Sequence, residues 1–168
     1  MSPKSLPRAE DFMTRGVQTV TPEMTLAEAV AFLTRHKVSN APVVEKLEGG
    51  RPLLVGFLSE GDCLEYLSNE MFHGDPSPPQ TVATMMKRHP ICVTPDTDVF
   101  TLASILVSHR YRHLPVVEDG WLMGMVSRRD ILQALASYYQ DSASRHDLEK
   151  FPVNLREVMN LRFVSKSR

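Results

Sequence analysis

The sequence predicts an α/β chain of the α+β kind, made of two β-α-β-β-α repeats packed face to face, and three observations predict it. The first is self-similarity: Gly56–Asp62 reads GFLSEGD and Gly124–Asp130 reads GMVSRRD. A shift of 73 also lays Met13 on Met86, Arg15 on Arg88, Val20–Pro22 on Val93–Pro95, His36 on His109 and Pro42–Glu45 on Pro115–Glu118, so one structural unit is used twice. The second is the order of patterns inside each copy, a helical apolar face followed by two short strand-like runs. The third is size. Three short strands and two helices cannot close a core alone, so in a chain of 168 residues the copies must pack together.

Each element has a local cause. Val17–Val20 and Ile91–Val93 end in Thr-Pro, which disfavours a helix before the proline and predicts extended backbone. Thr25 and Glu28 then form a capping box ahead of Leu26, Ala29, Val30 and Leu33, while Asp98 can cap Val99, Leu102, Ala103, Ile105 and Leu106. Two strands follow in each copy, APVVE with LLVGFLS and LPVVE with WLMGMVS. Asp119-Gly120 predicts a tight turn in the second pair. Five extra residues within KLEGGRPLLV lengthen the first hairpin loop and reduce the repeat shift to 68. A last helix starts after Ser59 or Ser127, carrying Leu64 and Leu67, or Ile131, Leu132 and Leu135. The resulting division is a tail at 1–8, repeat 1 at 9–72, a linker at 73–80, repeat 2 at 81–140 and a C-terminal extension at 141–168.

Composition narrows the function. A formal charge of -1 argues against a protein built to coat nucleic acid, which needs a surplus of Lys and Arg. The opening MSPKSLPRAE is polar and broken by proline, and no run approaches the roughly 20 apolar residues of a membrane span. The expectation is a cytoplasmic protein without membrane contact. Cys63 and Cys92 fit neither a CxxC pattern nor a common Cys/His spacing, so no metal site is expected. Asp62 and Asp130 fall in different copies and have no obvious catalytic partner, so no enzyme is expected and no catalytic cofactor.

The ordered set of leader Met, V-T-P, amphipathic helix, P-V-V and G-h-h-S-x-x-D, present twice from about Ala9 to Gln140, resembles a tandem pair of cystathionine-beta-synthase (CBS) domains, a Bateman module. The resemblance implies two repeats joined through their sheets, with two clefts related by pseudo-twofold symmetry. It implies adenosine-containing regulatory ligands such as AMP, ADP, ATP or S-adenosylmethionine, a homodimer, and a regulated partner protein whose identity the sequence does not carry. A ligand-free structural or dimerisation scaffold is the alternative function.

Residue chemistry agrees with that implication. The glycine of each heptapeptide admits close backbone approach, the serine caps a helix, and an ionised aspartate one turn later can accept both hydroxyls of a ribose. Candidate ligand-binding residues are therefore Ser59 and Asp62 in one copy and Ser127, Arg128 and Asp130 in the other. The plainer reading of both S-x-x-D pairs is a helix cap. The resemblance adds Ser39, Asn40, Ala41 and Pro42 with Arg112, His113, Leu114 and Pro115 as segments facing base and phosphates. Thr19, Cys92, Phe57 and Met125 match positions beside the adenine. Arg128 and Arg129 stand where the first copy has Glu60 and Gly61, which predicts that the Asp130 cleft holds a phosphorylated ligand more tightly.

Beyond Gln140 the segment DSASRHDLEK reads as a linker or exposed helix, and VNLREVMNLRFV reads equally as a third leader or as an amphipathic helix unrelated to the repeat. Its basic residues leave a weak nucleic-acid reading.

Overall fold

The structure is a computed structural model and describes residues 5–46, 50–73 and 80–143. The third leader and residues 144–150 of the segment read as the C-terminal linker or exposed helix lie outside the described residues, as does most of the 73–80 linker; residues 141–143 of that segment end the last helix.

Repeat 1 runs α1 (Ala9–Phe12), α2 (Leu26–His36), β1 (Asn40–Lys46), β2 (Pro52–Ser59) and α3 (Glu60–His73). Repeat 2 runs α4 (Val82–Met85), β3 (Lys87–Arg88), α5 (Val99–Ser108), β4 (His113–Glu118), β5 (Trp121–Ser127) and α6 (Arg128–Ala143). The caps form as the sequence predicts. Thr25 Oγ1 accepts the Glu28 amide at 3.3 Å while Glu28 accepts the Thr25 amide at 2.8 Å. Asp98 Oδ1 accepts the amides of Phe100 and Thr101 at 2.9 and 3.0 Å. Asp119 and Gly120 both take positive φ, 51° and 85°, as the turn between β4 and β5 requires.

The sheet order is β1-β2-β5-β4, with β3 on β2. Each hairpin is antiparallel and each has one irregularity, after Val43 and after Val116. The two hairpins meet at Leu53 and Trp121 alone among the β2–β5 pairs, beside a Leu54 amide to Gly120 carbonyl bond of 3.0 Å. The extended starts are reduced to parallel bridges, Val20 with Val43 and Val93 with Val116.

The leaders change sides. α1 puts Ala9 and Met13 into a core with Val93, Val99, Leu102, Leu106, Leu114, Val116 and Val126, all of repeat 2. α4 puts Val82 and Met85 into the repeat 1 core with Val20, Ala29, Leu33, Val43 and Leu58. The backbone follows the same exchange: Ala9 donates to Thr97, Val99 to Pro7, Leu26 to Gln80 and Val82 to Met24, at 2.8–2.9 Å. Each repeat closes its core with the other's leader, so the packing that each copy needs comes from an exchanged segment.

That exchange also explains the heptapeptide glycines. A Cβ on Gly124 would lie 2.6 Å from the Thr14 carbonyl oxygen and 3.0 Å from Met13 Sδ, and one on Gly56 would meet the Met86 side chain. The glycines make room for a crossing leader.

The last helices turn a different face inward from the one their leucines suggest. Cys63 and Ile131 are buried, whereas Leu64 and Leu132, equivalent in the two repeats, are 63% and 68% exposed. No helix among the described residues is long and apolar enough to cross a membrane.

Candidate functional site

Each S-x-x-D pair sits at the junction of a strand and a helix, β2 with α3 and β5 with α6. Ser127 donates its amide and hydroxyl to Asp130 Oδ2 at 2.7 and 2.6 Å, and the Asp130 amide returns a bond to Ser127 Oγ at 3.2 Å. Ser59 and Asp62 repeat the pattern at 2.8, 2.5 and 3.3 Å. These are capping boxes closed by aspartate, so the structural role expected of both pairs is filled. One carboxylate oxygen suffices for it. Oδ1 of Asp130 takes no hydrogen bond among the described residues, whereas Oδ1 of Asp62 faces Lys87 Nζ at 3.6 Å.

A cleft of about 400 Å³ opens at Asp130, with walls from both repeats. Of the residues expected from the sequence, Ser39, Asn40, His113, Met125, Ser127 and Asp130 line it. Ala41, Pro42, Leu114 and Pro115 are buried in β1 and β4 and do not line it; the carbonyls of Pro42 and Pro115 accept the Val20 and Val93 amides. Thr19 is half-buried and also outside the lining, and Cys92 is exposed. Arg112 is exposed and its carbonyl accepts the Arg128 amide at 3.1 Å, while Arg128 Nε reaches the Tyr111 carbonyl at 2.7 Å. Arg128 therefore clamps the segment ahead of β4. Phe57, Ser59 and Asp62 lie together on the opposite side of the pseudo-twofold, beside β3.

The cleft also has walls that the sequence left unassigned: Thr14, Gly16, Val17 and Gln18 from the leader, and Lys37 and Val38 after α2. Lys37 takes a left-handed φ of 53° as it terminates the helix, and its repeat partner Arg110 does so at 57°. The signal available was the leader match of Met13 with Met86, without any sign that the leader crosses over.

His113 connects the two halves. Its Nδ1 lies 2.9 Å from Asn40 Nδ2, which also donates to Ser39 Oγ at 3.1 Å. An amide donor makes Nδ1 an acceptor, placing the ring proton of neutral imidazole on Nε2. Burial pushes the His113 pKa down from its ordinary value; Asp130 opposes this, and Arg112 and Arg128 add to it. Among the described residues no group of three His, Cys, Asp or Glu could hold a metal ion.

The sequence matches the family model described as the CBS domain over residues 9–69 and 82–137. It is 31% identical over 127 residues to the CBS domain-containing protein CBSX3, mitochondrial, of Arabidopsis thaliana, covering 74% of this chain and 59% of that protein. It is 31% identical over 129 residues to the inosine-5'-monophosphate dehydrogenase of Korarchaeum cryptofilum, covering 76% of this chain and 24% of that protein. The chain thus spans well under two thirds of the length of either relative. Among solved structures, it is similar to CBSX2 of Arabidopsis thaliana in complex with AMP, with a TM-score of 0.67 and 27% identity over 79% of this chain and 98% of that one.

Proposed function

The chain belongs to the CBS-domain family, and from that premise we propose that it is a regulatory module, binding an adenosine-containing ligand such as AMP, ADP, ATP or S-adenosylmethionine and passing its occupancy to a partner protein. One observation carries the reading: the cleft at Asp130 is built from both repeats, and after capping the helix its aspartate has one carboxylate oxygen without a hydrogen bond among the described residues. That oxygen can accept ribose hydroxyls, each such charge-assisted bond contributing about 1.5–3 kcal/mol. Thr14, Gln18, Ser39 and Asn40 offer polar groups to a base, and Lys37 offers a cation to phosphate. AMP bound by the similar CBSX2 supports the same ligand class.

The reading includes no turnover of the ligand. The Ser127 hydroxyl beside the Asp130 carboxylate is engaged in the helix cap, and the matched part of the dehydrogenase is a quarter of its length. It also includes a homodimer paired through α3 and α6, supported by the exposed, repeat-equivalent Leu64 and Leu132.

Calorimetric titration with AMP, ADP, ATP and S-adenosylmethionine, followed by product analysis, tests the proposal. Saturable binding of at least one without product is expected. No binding of any at millimolar concentration would leave the scaffold reading, which the completed capping boxes favour.

A further inference from the structure

Two positions equivalent by sequence have become chemically different. Thr14 bridges Met125 at the Asp130 cleft, and the repeat partners of these residues, Lys87 and Phe57, pair beside Asp62. Thr14 is one bridge from β5, but Lys87 and Arg88 form a two-residue ladder with Phe57 and Gly56, so the second leader is zipped further onto its sheet. Three cleft-wall residues, Thr14, Gly16 and Met125, have as their repeat equivalents Lys87, His89 and Phe57, each larger.

The aspartates register the difference. Both use Oδ2 to cap a helix. Oδ1, without a hydrogen bond in Asp130 among the described residues, faces the Lys87 ammonium at 3.6 Å in Asp62, and Asp62 is only 8% exposed whereas Asp130 is half-buried. A carboxylate that is covered and paired has lost the handle that a ribose needs.

We propose that this module has one working adenosine cleft, at Asp130, and that Lys87 closes its counterpart at Asp62. The proposal rests on the adenosine reading above and goes beyond it by fixing the stoichiometry and naming the residue that sets it. An exposed lysine pair is weak by itself; it acts with the bulk of His89 and Phe57 and the tighter ladder. Asp62 is then a structural cap, and the module senses one ligand per chain although its fold repeats the site.

The test uses the full chain and AMP. Calorimetry of the wild type should give one equivalent per chain, with affinity reduced more than tenfold by Asp130→Asn. Lys87→Thr, which installs the residue of repeat 1, or Lys87→Thr with His89→Gly, should raise uptake to two equivalents, the second lost on adding Asp62→Asn. Two equivalents in the wild type, or one in both opened variants when folded, overturns the proposal. No uptake by the wild type would overturn the adenosine reading instead, and a ligand-free measurement still decides the closure. Carbodiimide coupling of glycine amide, read by peptide mass spectrometry, should modify Asp130 several-fold faster than Asp62, and Lys87→Thr should bring Asp62 up. Equal rates in the wild type overturn it.

Discussion

Asn40 Nδ2 and His113 Nδ1 lie 2.9 Å apart, and the two residues occupy the same position of their repeats. Repeat-equivalent side chains that touch must straddle the pseudo-twofold axis, so the axis passes through an asymmetric hydrogen bond, amide donor to imidazole acceptor. Protonating His113 would turn the acceptor into a donor and cost that bond, a net effect of about 1 kcal/mol. Its pKa is lowered in the fold by burial, so the neutral ring contributes its stability in full above the unfolded value of about 6.5. The contribution is lost as pH falls through the lower folded value. Urea denaturation at pH 7.5 and 5.5 should show a larger loss for the wild type than for His113→Asn; equal losses would remove His113 from the pH response.

The heptapeptide glycines should differ in tolerance. On Gly124 a methyl group meets the Thr14 carbonyl, which is backbone, whereas on Gly56 it meets chiefly the flexible Met86 side chain, with the Lys87 carbonyl at 3.2 Å. Gly124→Ala should destabilise the chain by about 1–3 kcal/mol, and Gly56→Ala by less, as read from denaturation midpoints. The opposite order would mean that the first leader yields more easily than the second.

Asp98 accepts two amides and the Thr101 hydroxyl at the start of α5. Asp98→Ala should cost about 1 kcal/mol, with Asp98→Asn retaining most of it. Burial pushes this carboxyl up, but the Thr101 and Phe100 bonds outweigh burial and hold it below its ordinary value. The cap therefore stabilises above the unfolded carboxylate pKa of about 3.9 and weakens as pH falls below it. Acid titration of stability should show a smaller decline in Asp98→Ala than in the wild type.

Leu64 and Leu132 project from α3 and α6 at equivalent positions. Leu64→Asp with Leu132→Asp should convert a dimer to a monomer in analytical ultracentrifugation while leaving AMP uptake in place. A wild type that sediments as a monomer at micromolar concentration would end the pairing proposal.

What the sequence disclosed was what neighbours along the chain decide. The Thr25 box, the Asp98 cap and the Asp119-Gly120 turn depend on residues within a few positions, and each forms where its residue types stand. Ser127 and Asp130 were legible for the same reason, as one helical turn of a repeated motif. The leader walls of the cleft were not. Thr14 and Gly16 reach Asp130 only because α1 packs on repeat 2, and nothing local to Met13 specifies Gly124 as its partner. Lys87 was silent likewise: its charge matters through a strand pairing with Phe57 that no periodicity announces. Leu64 and Leu132 fit a helical face by spacing, but the side facing the sheet was already taken by Cys63 and Ile131.

The exchange of leaders sets a timetable for synthesis. Met13 leaves the ribosome early, but Gly124, the residue it covers, is made at the far end of repeat 2. At about 5–20 residues per second, that interval is on the order of ten seconds. During it α1, with only four residues, has no core to join, and its apolar side chains are open to solvent. A segment translated before either hairpin is among the last to be buried, so the nascent chain depends on what shields Ala9, Phe12 and Met13 until their half of the molecule exists.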